Sequence, residues 1–245
     1  MPLDTDQAAL ESFVAKWRER WPEWNVMEVF VPAAQRPLAL AWAALLQELT
    51  DAAWRGEDAR PGEAKLAWWQ EELQGWSLGR RRHPLGLALQ KQPAPWDALA
   101  TALPGLVGSR ERPRDMAEAY DGLAAFSAAV VDVERVLLPA AVAAAADEAE
   151  RDAVSAVLLQ SRCMLPGDAH VPMAVFARAG EGDPVAIWRQ QLRQRWPAQP
   201  PAGLPRRLWS RLARARLRQA DPARPLKPWS AVLLGWRAAR RGPRN

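Results

Sequence analysis

The sequence predicts an all-α protein, a single-domain helical bundle. Apolar residues recur at three- and four-residue intervals along nearly every segment, the repeat of a helix with one buried face. Alanine is abundant while Ile and Thr are scarce, a bias that favours helix over strand. Prolines and glycines fall between the periodic stretches, where they punctuate helices.

The elements follow in order. Asp4, Thr5 and Asp6 are predicted to cap a first helix whose Leu10, Phe13, Val14 and Trp17 share a face, with Pro22 ending it. Residues 24–31 are rich in β-formers and read as a short strand or a loop into Pro32. Pro37 suits the first turn of a long helix to Trp54, with Leu38, Trp42, Leu45, Leu46 and Leu49 on its apolar face. After Gly56 and Pro61 a helix spans about Gly62 to Leu78, striped by Leu66, Trp69, Leu73 and Trp76.

A short helix is predicted over Pro84 to Gln90, and another over Asp97 to Val107 with Asp97 as its cap. Pro113 opens a helix through Leu138, and Pro139 starts an alanine-rich one reaching Met164. Shorter helices cover Val171 to Ala179 and Pro184 to Trp196. Pro197, Pro200 and Pro201 mark a linker before two basic amphipathic helices, near Pro205 to Gln219 and Pro228 to Arg240.

Composition narrows the function classes. With 49% hydrophobic and 25% charged residues in 245, the chain is globular. No apolar run approaches the ~20 residues of a spanning helix, and Asp4, Asp6 and Glu11 stand where a secretory signal would be basic and then apolar. A cytoplasmic protein, with possible peripheral contact to a membrane, is expected. Cys163 is the only cysteine, so there is no disulfide framework, and with only His83 and His170 beside it no zinc cluster. It reads as a plain buried thiol.

The net charge of +5 is uneven. From Arg206 onward eleven arginines and one lysine face Asp221 alone, a net of +11, which leaves −6 for the first 205 residues. Such a tail suits an anionic membrane surface, or nucleic acid, although the general excess of Arg over Lys points to coding bias, and nucleic acid is the less favoured partner.

Nucleotide-binding fingerprints, a P-loop, a Gly-x-Ser-x-Gly elbow and a His-Glu-x-x-His helix are all missing from the sequence. What remains is carboxylate spacing on helices, since acids three or four apart share a face and can hold Mg²⁺ against a diphosphate. Glu48 with Asp51 is one such pair; Glu71 or Glu72, Glu118 with Asp121, and Glu148 with Asp152 are others. Such pairs are also common on solvated helix faces.

One stretch carries a family resemblance. Lys65-Leu66-Ala67-Trp68-Trp69-Gln70-Glu71-Glu72-Leu73, followed by Gly79-Arg80-Arg81-Arg82-His83-Pro84-Leu85, resembles the segment after the first metal-binding helix of squalene and phytoene synthases. The likeness is strongest over the first third of the chain. It implies an isoprenoid synthase fold over residues 1–245, with residues 203–245 as basic C-terminal helices. In that family an Asp-Asp-x-x-Asp pattern precedes the Trp-containing helix and binds Mg²⁺ and the diphosphate; here the stretch reads Thr50-Asp51-Ala52-Ala53-Trp54.

Asp51 alone survives, with Glu48 one turn earlier as a substitute ligand. The second acidic helix of the family resembles Val157 to Leu165, with Gln160 at a matching place, but the chain continues Leu165-Pro166-Gly167-Asp168. Ionising an allylic diphosphate needs several cations held by facing carboxylates, and one Asp on one wall supplies too few. No metal or other cofactor is therefore expected. Arg36, Lys65 and Arg162 are weak candidates for direct diphosphate contact.

The resemblance thus implies a divergent, non-catalytic member that binds a partner protein or a prenyl-like lipid in an inherited cavity. Members lacking both acidic motifs exist, one supporting respiratory-complex assembly. The alternative is an active Mg²⁺-dependent prenyltransferase joining prenyl diphosphates head to head, in which Glu48, Asp51 and acids from Glu118 to Asp121 or Glu148 to Asp152 rebuild the metal site. A third reading assigns the basic tail to an anionic membrane surface or nucleic acid.

Overall fold

The computed structural model describes residues 2–140 and 147–240, with side chains from residue 5 onward. Among the described residues it has twelve α-helices and no strand. Helix α1 (Pro2–Arg20) begins at Pro2, so Thr5 and Asp6 lie inside it instead of capping it. Proline in a first turn needs no hydrogen-bond partner, which allows the earlier start.

Residues 24–31 form helix α2 (Trp24–Met27) and a 3₁₀ turn (Glu28–Phe30), not a strand. Trp24 and Met27, three apart, are both buried. Tertiary burial overrides β-propensity here.

Helix α3 (Arg36–Trp54) runs through the centre of the protein, and nearly every residue from Ala39 to Ala53 is buried. Helix α4 (Arg60–Ser77) packs on it at Gly62, where an added Cβ would lie 2.1 Å from the Ala52 carbonyl oxygen. Gly79, with φ +76°, closes the end of α4, and Arg80 N–H returns to Gly75 O at 2.8 Å.

Helices α5 (Gly86–Leu89) and α6 (Trp96–Gly108) follow; α6 starts one residue before Asp97, which therefore sits in its first turn and not at its cap. Helix α7 (Met116–Leu137) begins after Asp115, whose carboxylate accepts from Glu118 N–H at 3.0 Å.

Helix α8 is described over Asp147–Arg162. Pro139 and Ala140 are not helical, and the alanine run 141–146 lies outside the described residues. Helices α9 (Met173–Ala179), α10 (Pro184–Arg195), α11 (Leu204–Arg216) and α12 (Pro228–Arg240) complete the fold.

Packing follows a ring. Helix α1 lies on α3, α3 on α4, α4 on α6, α6 on α7, α7 on α8, α8 on α11, α11 on α12, and α12 on α2. Trp209 of α11 meets Trp17 and Trp21 at 5.9 Å each, which joins the two ends of the chain. The proline-rich connection at 197–203 is tied down: Ala202 N–H donates to buried Glu150 at 2.7 Å, and Arg207 donates to the carbonyls of Pro201 and Ala202.

Candidate functional site

Helical spacing places Glu48 and Asp51 on one face of α3, toward α1 and α4. Both are buried, with side chains 4% and 8% exposed. Each carboxylate is met by two cations. Lys16 of α1 and Lys65 of α4 reach Glu48 at 2.5 and 2.7 Å. Arg20 of α1 donates to both oxygens of Asp51 at 2.8 and 3.0 Å, and Arg55 lies 3.1 Å away. Burial alone would raise the Glu48 carboxyl, but the hydrogen bonds from Lys16 and Lys65 outweigh it and hold it below the ordinary range.

Four cations around two carboxylates make this wall net positive. The lone pairs a divalent ion would use are taken by ammonium and guanidinium groups. Among the described residues no group of three or more His, Cys, Asp or Glu side chains is placed to hold a metal ion.

The remaining sequence-predicted residues scatter. Arg36 begins α3, twelve residues and about 18 Å from Glu48, and donates to the carbonyls of Val31 and Val29 at 2.9 and 3.2 Å. Arg162 is buried at the end of α8, where it donates to Ser109 O at 2.5 Å and Arg110 O at 2.8 Å and lies over the Trp54 ring. Burial pushes its guanidinium down to about 10. The structure therefore unites Glu48, Asp51 and Lys65, while Arg36 and Arg162 hold backbone elsewhere.

The other acids divide by burial. Glu72 is sealed inside and accepts from Trp76 Nε1 and from the N–H groups of Arg82 and His83, at 2.8, 2.7 and 2.8 Å. It fixes the basic turn to α4. Glu71, Glu118, Asp121 and Glu148 lie in intermediate or exposed positions, and Asp152 pairs with Arg195. Asp168 is exposed and paired with Arg112. Gln160 is fully buried, and neither of its amide atoms has a partner among the described residues.

Tryptophans fill the space between α3, α4 and α6. Trp42, Trp96, Trp76 and Trp69 form a continuous series with centroid separations of 6.3, 5.1 and 6.3 Å, all almost completely buried. The His83 ring lies 4.4 Å from Trp69, and burial lowers it to about 4 against the pull of Glu48 and Glu72. Beneath α11, Glu134 accepts from Trp42 Nε1 at 2.7 Å and from Arg206. The cavity beside Glu134 and Glu150 is about 50 Å³, room for water and not for an isoprenoid chain.

A larger groove of about 380 Å³ lies between α1 and α3, lined by Leu10, Val14, Leu40, Ala41 and Ala88 and edged by Gln7, Glu11 and Arg18. Cys163 is buried, and burial pushes its thiol up to about 12, so it is no nucleophile at neutral pH.

Sequence reasoning missed Lys16, Arg20 and Arg55. The available signal was spacing: Lys16 and Arg20 stand one turn apart on α1 beside buried Trp17 and Trp21, a register that complements Glu48 and Asp51.

No family model and no curated protein matches this sequence. Among solved structures, the fold is similar to that of squalene synthase HpnC from Alicyclobacillus acidocaldarius, with a TM-score of 0.55 over 98% of this chain and 94% of that chain. The two are 16% identical, so what they share is the fold: a helical bundle of the squalene synthase kind.

Proposed function

We propose that this chain uses a squalene-synthase-like bundle as a non-catalytic binding module. The observation that carries the reading is the double neutralisation of Glu48 by Lys16 and Lys65 and of Asp51 by Arg20 and Arg55. A Mg²⁺ ion bound there would have to displace the largely buried Arg20 and the half-exposed Lys16, Lys65 and Arg55 from two buried carboxylates and would meet like charge while doing so. The built-in cations replace the metal as partners of the carboxylates. The apolar groove between α1 and α3 supports a binding role, since its aliphatic lining suits a prenyl-like chain or an apolar side chain of a partner protein.

Titration with Mn²⁺, followed by the loss of free-ion EPR signal, tests the reading against the alternative of a Mg²⁺-dependent prenyltransferase. The native chain and the variant Glu48→Gln/Asp51→Asn, its folding checked by circular dichroism, are expected to take up the same few weakly held ions. A saturable site in the native chain that vanishes in the folded variant would overturn it.

A further inference from the structure

Helix α12 is built inside out for a surface helix. Its inward face is made of small residues, Ala231, Gly235 and Ala238, all buried. A Cβ added at Gly235 would come within 2.6 Å of the Phe30 ring, so the helix backbone lies directly on the 3₁₀ turn after α2. The large apolar residues point the other way. Trp229, Val232, Leu233 and Trp236, spaced i, i+3, i+4 and i+7, form one outward stripe, with the two tryptophans 67% and 45% exposed. Val29 on the adjoining 3₁₀ turn is exposed as well.

The charged residues of α12 and of the segment 222–227 before it have one sign. Arg237 and Arg240 are exposed on the same helix, Arg224 and Lys227 are exposed just before it, and α12 contains no acid. The Arg240 guanidinium lies over the Trp236 ring, 4.7 Å from its centroid, which places a cation at the edge of the apolar face. Part of the basic tail is occupied: Arg206 binds Glu134, Arg216 binds Glu23, and Arg207 holds backbone carbonyls, while Arg211, Arg214 and Arg218 lie on and just after α11 as a second group of cations. Of the tail's cations, Arg224, Lys227, Arg237 and Arg240 are the exposed ones on or just before the helix that carries the stripe.

We propose that the outer face of α12 docks this protein on an anionic membrane surface, inserting Trp229, Val232, Leu233 and Trp236 at the headgroup boundary while the flanking arginines meet lipid phosphates. Exposed indoles two turns apart with cations beside them are what an interfacial helix presents to a bilayer. A second copy of the chain fits less well. An isologous contact would set Arg237 and Arg240 against themselves with no acid in α12 to offset them. The inference is independent of whether the bundle retains any catalysis.

Flotation of the full chain with vesicles tests it, comparing phosphatidylcholine with an equimolar mixture of phosphatidylcholine and phosphatidylglycerol. The expected result is binding to the anionic vesicles at low salt that falls at least about tenfold at half-molar salt, with little binding to neutral vesicles. Trp229→Ala/Trp236→Ala and, separately, Arg237→Gln/Arg240→Gln are each expected to weaken binding about tenfold or more. All four side chains point away from the bundle, so thermal unfolding should be unchanged, and the arginine pair remains a readable test if the tryptophan pair lowers stability. Absence of binding to anionic vesicles, equal binding to neutral ones, or variants that bind like the native chain would overturn the proposal. So would a native dimer in sedimentation velocity that the tryptophan variant dissolves, since the face would then belong to self-association.

Discussion

Replacing Arg216 by methionine should be among the most damaging single changes in the molecule. Arg216 is 0% exposed and its partner Glu23 is 1% exposed. The guanidinium donates to Glu23 through Nε at 2.9 Å and Nη2 at 2.6 Å, and to Arg20 O at 2.9 Å, while lying 4.4 Å from the centre of the Trp21 ring. Glu23 accepts one further bond, from Leu226 N–H at 2.7 Å.

Arg216→Met leaves a carboxylate sealed from water with that single donor and no counter-charge. Breaking a buried pair from one side costs about 3–5 kcal/mol. For a chain of this size that corresponds to a fall in Tm of roughly 6–20 °C. Urea unfolding followed by circular dichroism supplies the free energy. The double variant Glu23→Gln/Arg216→Met removes the stranded charge and should recover about 1–3 kcal/mol of the sum of the single losses. A loss below about 1 kcal/mol for Arg216→Met, or strict additivity in the double variant, would refute the claim that this pair clamps α11 to the turn after α1.

Acid should weaken the fold through His170, whose imidazole burial pushes down to about 4. The unfolded state, titrating near ~6.5, then binds the extra proton between those values, so stability falls as pH drops, by about 2 kcal/mol from this residue at about pH 5. His83 acts in the same direction. Urea midpoints measured between neutral pH and pH ~5 should flatten in His170→Gln, and an unchanged slope would place that imidazole in water. Gly62→Ala should cost about 1–3 kcal/mol, because its new Cβ meets the Ala52 carbonyl. Gly122→Ala, in the middle of α7 with open space around it, should gain up to about 1 kcal/mol. Similar urea midpoints for the two glycine variants would contradict the close approach of α4 to α3.

The sequence and the structure agree best where punctuation is strong. Pro37 and Gly56 bracket α3, and Pro61 and Gly79 bracket α4, so both helices were legible to within two residues. The stripe Leu66, Trp69, Leu73 and Trp76 is buried as its spacing implies. Residues 24–31 read as a strand or a loop because Trp24, Val26, Val29 and Phe30 favour strands, while the close packing on Met27 and Phe30 comes from Gly235, about two hundred residues away.

The candidate site divides the same way. Glu48 and Asp51 share a face by spacing alone. Lys16 and Arg20 carry a matching spacing on α1, but their neutralisation of this pair depends on how α1 crosses α3, a tertiary fact. The basic tail shows the converse: its net charge could be counted, but the burial of Arg206, Arg207 and Arg216 against partners in distant helices or in the preceding turn could not.

The proposed non-catalytic role rests on Lys16, Lys65, Arg20 and Arg55 as the partners of Glu48 and Asp51 on the α3 wall. Incubating the purified chain with Mg²⁺ and farnesyl or geranylgeranyl diphosphate, and measuring released pyrophosphate together with extracted product, tests it most directly. No pyrophosphate above the enzyme-free rate and no condensed product are expected. Pyrophosphate release with a head-to-head product, abolished in folded Glu48→Gln/Asp51→Asn, would contradict it.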